Sequence, residues 1–308
     1  MRISEYYGLP DPGDLPFVDV NVHKDNRLYV DPRAIRLDPT TATYVEHAKA
    51  SMTTYFNVVS TSIRRGDEVS RARALTLLQD FTEPWQTRLG MAADGFHGHG
   101  GAGEVGRWIY DTLTTNADAL WRIGSLTQLE DIPVFVPGIG ADITSDLTTR
   151  IVFGALVDFT AHVMDAYPQF TTAPHRVATV TTRVWDPHTS RWREAQVQLP
   201  VVNGKELLLV PRTWVQRDLL IRAPRYYGVS VLGYIQETET VHTAEGVELK
   251  PTKEELRQRP NLSGTRGFIL DTTLKAGDHG INLMREFKIF VDTHYKPVPD
   301  DILYRKTA

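Results

Sequence analysis

An α+β fold is what this sequence predicts: a helix-rich N-terminal half with an N-terminal β-hairpin, an antiparallel β-meander in the C-terminal half, and a helical tail. Three observations carry that prediction. Apolar residues recur every three or four positions over 41–65 and again after Asp67, the spacing of one helix face. Over 177–210 the period falls to two, and Asn203-Gly204 separates two alternating runs, the strongest short-range hairpin signal. The 308 residues are 41% hydrophobic and 23% charged, a balance that buries a core and differs from that of disordered chains.

Taken in order, Phe17, Val18, Val20 and Val22 alternate with polar residues and read as a half-buried strand. Residues 27–30 form a second strand stopped by Asp31-Pro32, which together make the hairpin. Val45, Ala48, Met52, Tyr55, Phe56, Val59 and Ile63 mark an amphipathic helix ended by Gly66, where a left-handed residue closes the last turn. Asp67 is an N-cap for a second helix with Val69, Ala72, Leu75 and Leu78, broken before Pro84. A glycine-rich stretch, 90–106, leads into a helix carrying Trp108, Ile109 and Leu113, and a second one, 137–146, leads into a long helix through about Ala166. Apolar residues spread around that helix, which predicts a central position. The meander spans 177–185, 192–202 and 205–210, with 229–235 and 239–247 as continuations. Thr252 to Glu255 is a capping box, and Met284, Phe287, Ile289, Phe290 and Val291 form an apolar cluster in the tail. A boundary near 168–174 divides the chain into 1–170 and 171–308, as two domains sharing an interface or as one continuous domain.

Composition removes several classes of chemistry. The absence of cysteine excludes disulfides, thiolate catalysis, iron–sulfur clusters and cysteine-bound zinc. A net charge of −4 argues against coating nucleic acid or anionic membrane by bulk charge and leaves room for a local basic patch. Residues 1–16 show no basic segment followed by an apolar one, and the apolar runs are shorter than the ~20 residues of a membrane span. The expected location is cytoplasmic.

The glycine-rich helix entrances are where chemistry is expected. Gly98, Gly100 and Gly103 have G-x-G-x-x-G spacing ahead of a helix, so their N–H groups are candidates for holding an anion or cofactor phosphate; no buried strand precedes them, as a Rossmann motif requires. His97 and His99 flank Gly98 and are candidate acid, base or metal ligands. Asp142 and Asp146 share one face at a helix start, which suits Mg²⁺ or Mn²⁺. The competing reading is electrostatic support of the helix N-terminus and an i, i+4 pair of Asp146 with Arg150. Asp158 and His162 have the same spacing and read as a hydrogen-bonded core pair or a site lining. Arg212, Trp214, Arg217 and Arg222 combine guanidinium and aromatic groups suited to phosphate or a protein partner. No nucleophile elbow, H-E-x-x-H or P-loop motif occurs.

Residues 25–32, the loop 90–103, the segment 138–146, the hairpin 199–211 and residues 252–256 together resemble an uncharacterised family of bacterial proteins associated with mobile elements and antiphage defence neighbourhoods. The resemblance implies a setting and no mechanism. Two functions are expected from the residues and that setting. One is a metal-dependent, nuclease-type phosphodiester-handling effector of antiviral defence, with Asp142, Asp146, His97 and His99 at its centre. The other is a non-catalytic recognition subunit that binds nucleic acid or another defence-system protein through Arg212, Trp214, Arg217 and Arg222.

Overall fold

The computed structural model describes residues 1–23, 26–80, 84–90, 102–299 and 303. In chain order the elements are α1 (Ile3–Tyr7), β1 (Tyr29–Val30), α2 (Pro32–Leu37), α3 (Thr43–Arg65), α4 (Glu68–Gln79), α5 (Ala102–Arg122), α6 (Ile132–Phe135), α7 (Ala141–Ile151) and α8 (Phe153–Ala166). Then come β2 (Val177–Asp186), β3 (Arg191–Val202), β4 (Lys205–Glu206), β5 (Val215–Gln216), α9 (Ala223–Tyr226) and α10 (Leu232–Thr238). The chain closes with β6 (Val241–His242), β7 (Glu248–Leu249), α11 (Lys253–Arg257), α12 (Arg266–Asp278) and α13 (Leu283–Thr293). Among the described residues all ladders between these strands are antiparallel: β1 with β5, β2 with β3 and β3 with β4, and β6 with β7. The fold is α+β, as predicted.

Two compact units partition the chain: one takes 1–110, 141–219 and 296–308, the other 111–140 and 220–295. The division drawn at 170/171 therefore gives way to an interleaved one. The reason is burial: β2 and β3 pack on α8 within the first unit, with Val184, Trp185, Val197 and Leu199 buried, so the meander shares a core with the helices that precede it.

In the first unit, α3 buries Val45, Ala48, Met52, Tyr55, Phe56, Val59 and Ile63 and ends at Gly66 with φ +72. Asp67 caps α4 by accepting from Ser70 N. The turn between β3 and β4 has positive φ at both Asn203 and Gly204, the type I′ pattern that matches strand twist. At the N-terminus the Asn26 amide closes the turn, accepting from Asn21 N and donating to Asn21 O. The arms of that turn also bond further afield: Ile3 N donates to Val20 O, Val18 N to Val210 O, and Tyr29-Val30 pairs with Val215-Gln216.

The one long helix expected to follow 137–146 and run through about Ala166 is replaced by two. α7 and α8 meet at 72° at Val152, where φ −91 and ψ 12 leave the helical region. Helical hydrogen bonding is kept on both sides, from Val152 N to Thr148 O and Leu156 N to Val152 O. Among the described residues no single helix is long and apolar enough to cross a membrane.

The second unit corrects the reading of 229–235 as a strand. Residues Tyr227–Val231 form a π-helical turn that runs into α10. Its loosened carbonyls find a partner in Lys253 Nζ, which donates to Gly228 O and Val229 O, and tertiary partners of this kind outweigh β-propensity. Residues 239–247 hold only the short strand β6, paired with β7. Tyr226 and Phe287 form the core here, with ring centroids 5.2 Å apart, and the predicted capping box is present at Thr252 and Glu255.

Candidate functional site at the start of helix α7

Helix α7 is fixed to β1 by a polar contact that the sequence does not announce. Ser145, buried in the second turn of the helix, accepts from Val30 N at 2.9 Å. That bond sets Tyr29, one residue earlier, near the mouth of α7. Burial, reinforced by the charges of Asp142 and Asp218 and opposed by Arg27, raises the Tyr29 hydroxyl above its ordinary pKa. Asp142 and Asp146 are half-buried on successive turns, and Asp218 is exposed, accepting from Leu219 N.

The first glycine-rich stretch begins at the same place. Gly90 N donates to Asn26 O and Leu28 O, with the Asn26 amide also donating to Arg88 O. Gly90 has φ +112, and a Cβ there would stand 3.2 Å from Asp142 Oδ1. Both the left-handed backbone and the close approach favour glycine. The first residue of one glycine-rich stretch therefore abuts Asp142 in the other. His97, His99, Gly98 and Gly100 lie outside the described residues. Gly103 stands in the first turn of α5, where its carbonyl accepts from Gln79 Nε2 at 2.9 Å.

The structure gathers Asp142, Asp146, Asp218 and Tyr29 around the start of α7. Among the described residues no three His, Asp or Glu side chains converge in an arrangement that holds a metal ion. Asp142 and Asp146, one turn apart on α7, carry the oxygen atoms that suit Mg²⁺ or Mn²⁺. Arg150 turns to other partners: its Nη1 donates to Arg183 O, and its guanidinium stands 4.6 Å over the Trp192 ring.

Other predicted residues fall elsewhere. Asp158 pairs with His47 of α3, Oδ2 to Nδ1 at 2.7 Å, and the predicted Asp158 and His162 pair does not form; His162 is exposed, its ring 6.3 Å from Tyr44. The contact is made across α3 and α8, with His47 lying over Gly154, where a Cβ would be 3.1 Å from the imidazole. Trp214 is a core residue with no exposed surface, donating Nε1 to Asp38 Oδ2 at 2.9 Å, so its ring offers no stacking face. Arg212 donates to Gly13 O and Leu15 O, Arg217 is exposed, and Arg222 belongs to the second unit. The Arg and aromatic stretch that looks continuous in sequence is thus distributed between the core, a backbone clamp and two units.

Tyr29, Asp218 and His47 were missed by sequence reasoning because their partners are distant in the chain. The glycine maximum that includes Gly90 was the one local signal that pointed to the mouth. A search of curated proteins and of solved structures gives no match. The family described as Domain of unknown function (DUF8370) matches residues 9–222, a stretch that contains Tyr29, Gly90, Asp142, Asp146 and Asp218. With well over half of its length in that match, the chain belongs to the DUF8370 family.

Proposed function

We propose that this protein is a metal-dependent, nuclease-type phosphodiester-handling effector of bacterial antiviral defence, with its site at the start of α7. The observation that carries the reading is the meeting of Gly90 with Asp142, which brings the start of the first glycine-rich stretch to the acidic mouth. Asp142 and Asp146 would hold Mg²⁺ or Mn²⁺, whose chemistry is to lower the pKa of bound water and neutralise charge on a phosphoryl oxygen. Tyr29, kept protonated by burial and by Asp142 and Asp218, would donate its O–H to an oxygen of the diester. His97 and His99, from the segment that leaves Gly90, would serve as acid or base. The defence setting is supported by the family resemblance alone.

Calorimetric titration of Mg²⁺ and Mn²⁺ tests this directly. Binding by the wild type that vanishes in an Asp142→Asn, Asp146→Asn variant of unchanged circular dichroism is the expected result. Equal binding by both proteins would end the assignment of the metal to α7.

A further inference from the structure

A second cluster of charge lies in the first unit and is built from residues that no local pattern connects. Thr54, Asn57, Val58, Thr61, Ser62 and Arg65 follow one stripe of α3 at helical spacing. Arg73 of α4 and Ser190 at the tip of the β2–β3 hairpin form the other side, and together they line an open groove of about 300 Å³, in which Arg65 and Arg73 are exposed.

The walls are fixed. Trp185 Nε1 donates to Thr54 Oγ1 at 2.9 Å, and Trp185 is buried edge-to-face against Tyr55 at 5.1 Å and Trp192 at 5.5 Å. The hairpin tip is held by Asp186, whose carboxylate accepts from His188 N and Thr189 Oγ1. Ser190 has φ +52, a costly conformation for a residue with a side chain, and its carbonyl faces Arg73 Nη2 at 3.5 Å.

The lining is one-signed. Among the described residues it holds two guanidinium groups, hydroxyls and an amide, and no carboxylate, in a chain whose net charge is −4. Asp67, two residues beyond Arg65, has its oxygens occupied by Ser70 N and Ser70 Oγ. Two guanidinium forks approaching from different elements suit the several edges of a tetrahedral oxyanion, whereas a planar carboxylate has a single edge for bidentate pairing.

We propose that the groove bounded by Arg65, Arg73 and Ser190 is a phosphate-binding site, separate from the acidic mouth of α7 and independent of any metal there. The phosphate comes either from a nucleic-acid backbone or from a free or terminal phosphate.

The test uses the full chain without divalent cations, with inorganic phosphate titrated calorimetrically and a short fluorescein-labelled oligothymidylate followed by anisotropy over a salt series. An Arg65→Ala, Arg73→Ala variant is compared with Arg64→Ala, Arg71→Ala, which removes the same charge from the same two helices outside the groove. The expected result is about tenfold or greater weakening in the groove variant only. If the oligonucleotide is the ligand, the salt slope also falls by about 1.4, from roughly 0.7 for each single-strand phosphate contact. Loss confined to inorganic phosphate assigns the site to a free phosphate group. The proposal is overturned if neither probe binds the wild type, if the groove variant binds as the wild type does, or if both arginine pairs matter equally. Asp142→Asn with Asp146→Asn leaves this binding unchanged, so failure of the metal reading and failure of this one are told apart.

Discussion

Asp38 in the first unit and Asp131 in the second are both buried carboxylates, and their acidities are displaced in opposite directions. Burial disfavours the charge of Asp38, but Thr40 N, Thr213 Oγ1 and Trp214 Nε1 all donate to it. These donors hold its pKa below the usual carboxylate range. Asp131 also has strong partners: Thr127 N and Gln128 N donate to Oδ2, and Lys288 Nζ lies 2.9 Å from Oδ2 and 2.8 Å from Oδ1. Complete burial nevertheless raises its pKa, with the buried Glu130 beside it adding to the effect and Lys288 opposing. Burial sets the cost of a charge in both places, and the surrounding dipoles and charges decide its sign.

The comparison can be broken most forcefully at Lys288. Replacing Lys288 with Met leaves the buried Asp131 without the cation that faces it, and the expected loss is about 3–5 kcal/mol in urea denaturation at neutral pH. A loss below about 1 kcal/mol would mean that Asp131 is already neutral there.

A smaller effect separates the two carboxylates by the pH dependence of stability. Asp38, with its lowered folded pKa, contributes fully above the ordinary carboxylate value of about 3.9 and loses that contribution as pH falls through its folded value. Asp131, raised on folding, lends stability below that ordinary value and loses it as pH climbs through its folded value. Asp38→Asn should cost about 2 kcal/mol at neutral pH and flatten the acid limb of a stability profile. Asp131→Asn should flatten the limb that declines above it. Identical profiles for the two variants would erase the distinction.

The smallest change sharpens the account of Asp38 itself. Trp214→Phe keeps a buried ring and removes one donor, with an expected cost of about 1 kcal/mol. It should also return the Asp38 carboxyl towards its ordinary value in an NMR titration. An unmoved Asp38 would show that Thr40 and Thr213 suffice.

Much of the architecture was legible because its causes are local. The α3 stripe, the Asp67 and Thr252 caps and the Asn203-Gly204 turn each follow from spacing or backbone preference within a few residues, and each is present. Of the candidate site, Asp142, Asp146 and the glycine maximum were legible as motifs. The approach of Gly90 to Asp142 was not, because it rests on contacts distant in sequence, such as β1 pairing with β5 and Ser145 reaching Val30 N. The same limit misled the reading of Trp214, since an aromatic beside arginines has the same local signature whether it stacks on a ligand or fills a core.

What the sequence by itself determined is therefore the class of the fold, the bounds of α3 and α4 and the cap of α11, and the cysteine-free chemistry available to the chain. Tertiary structure decided which charges stand together. Asp158 meets His47 rather than His162, Arg73 meets the carbonyl of Ser190, and Gly90 abuts Asp142. Hydrogen-bonding period and capping act over a few residues, while burial acts on whole faces and brings together side chains whose separation along the chain carries no trace of their contact.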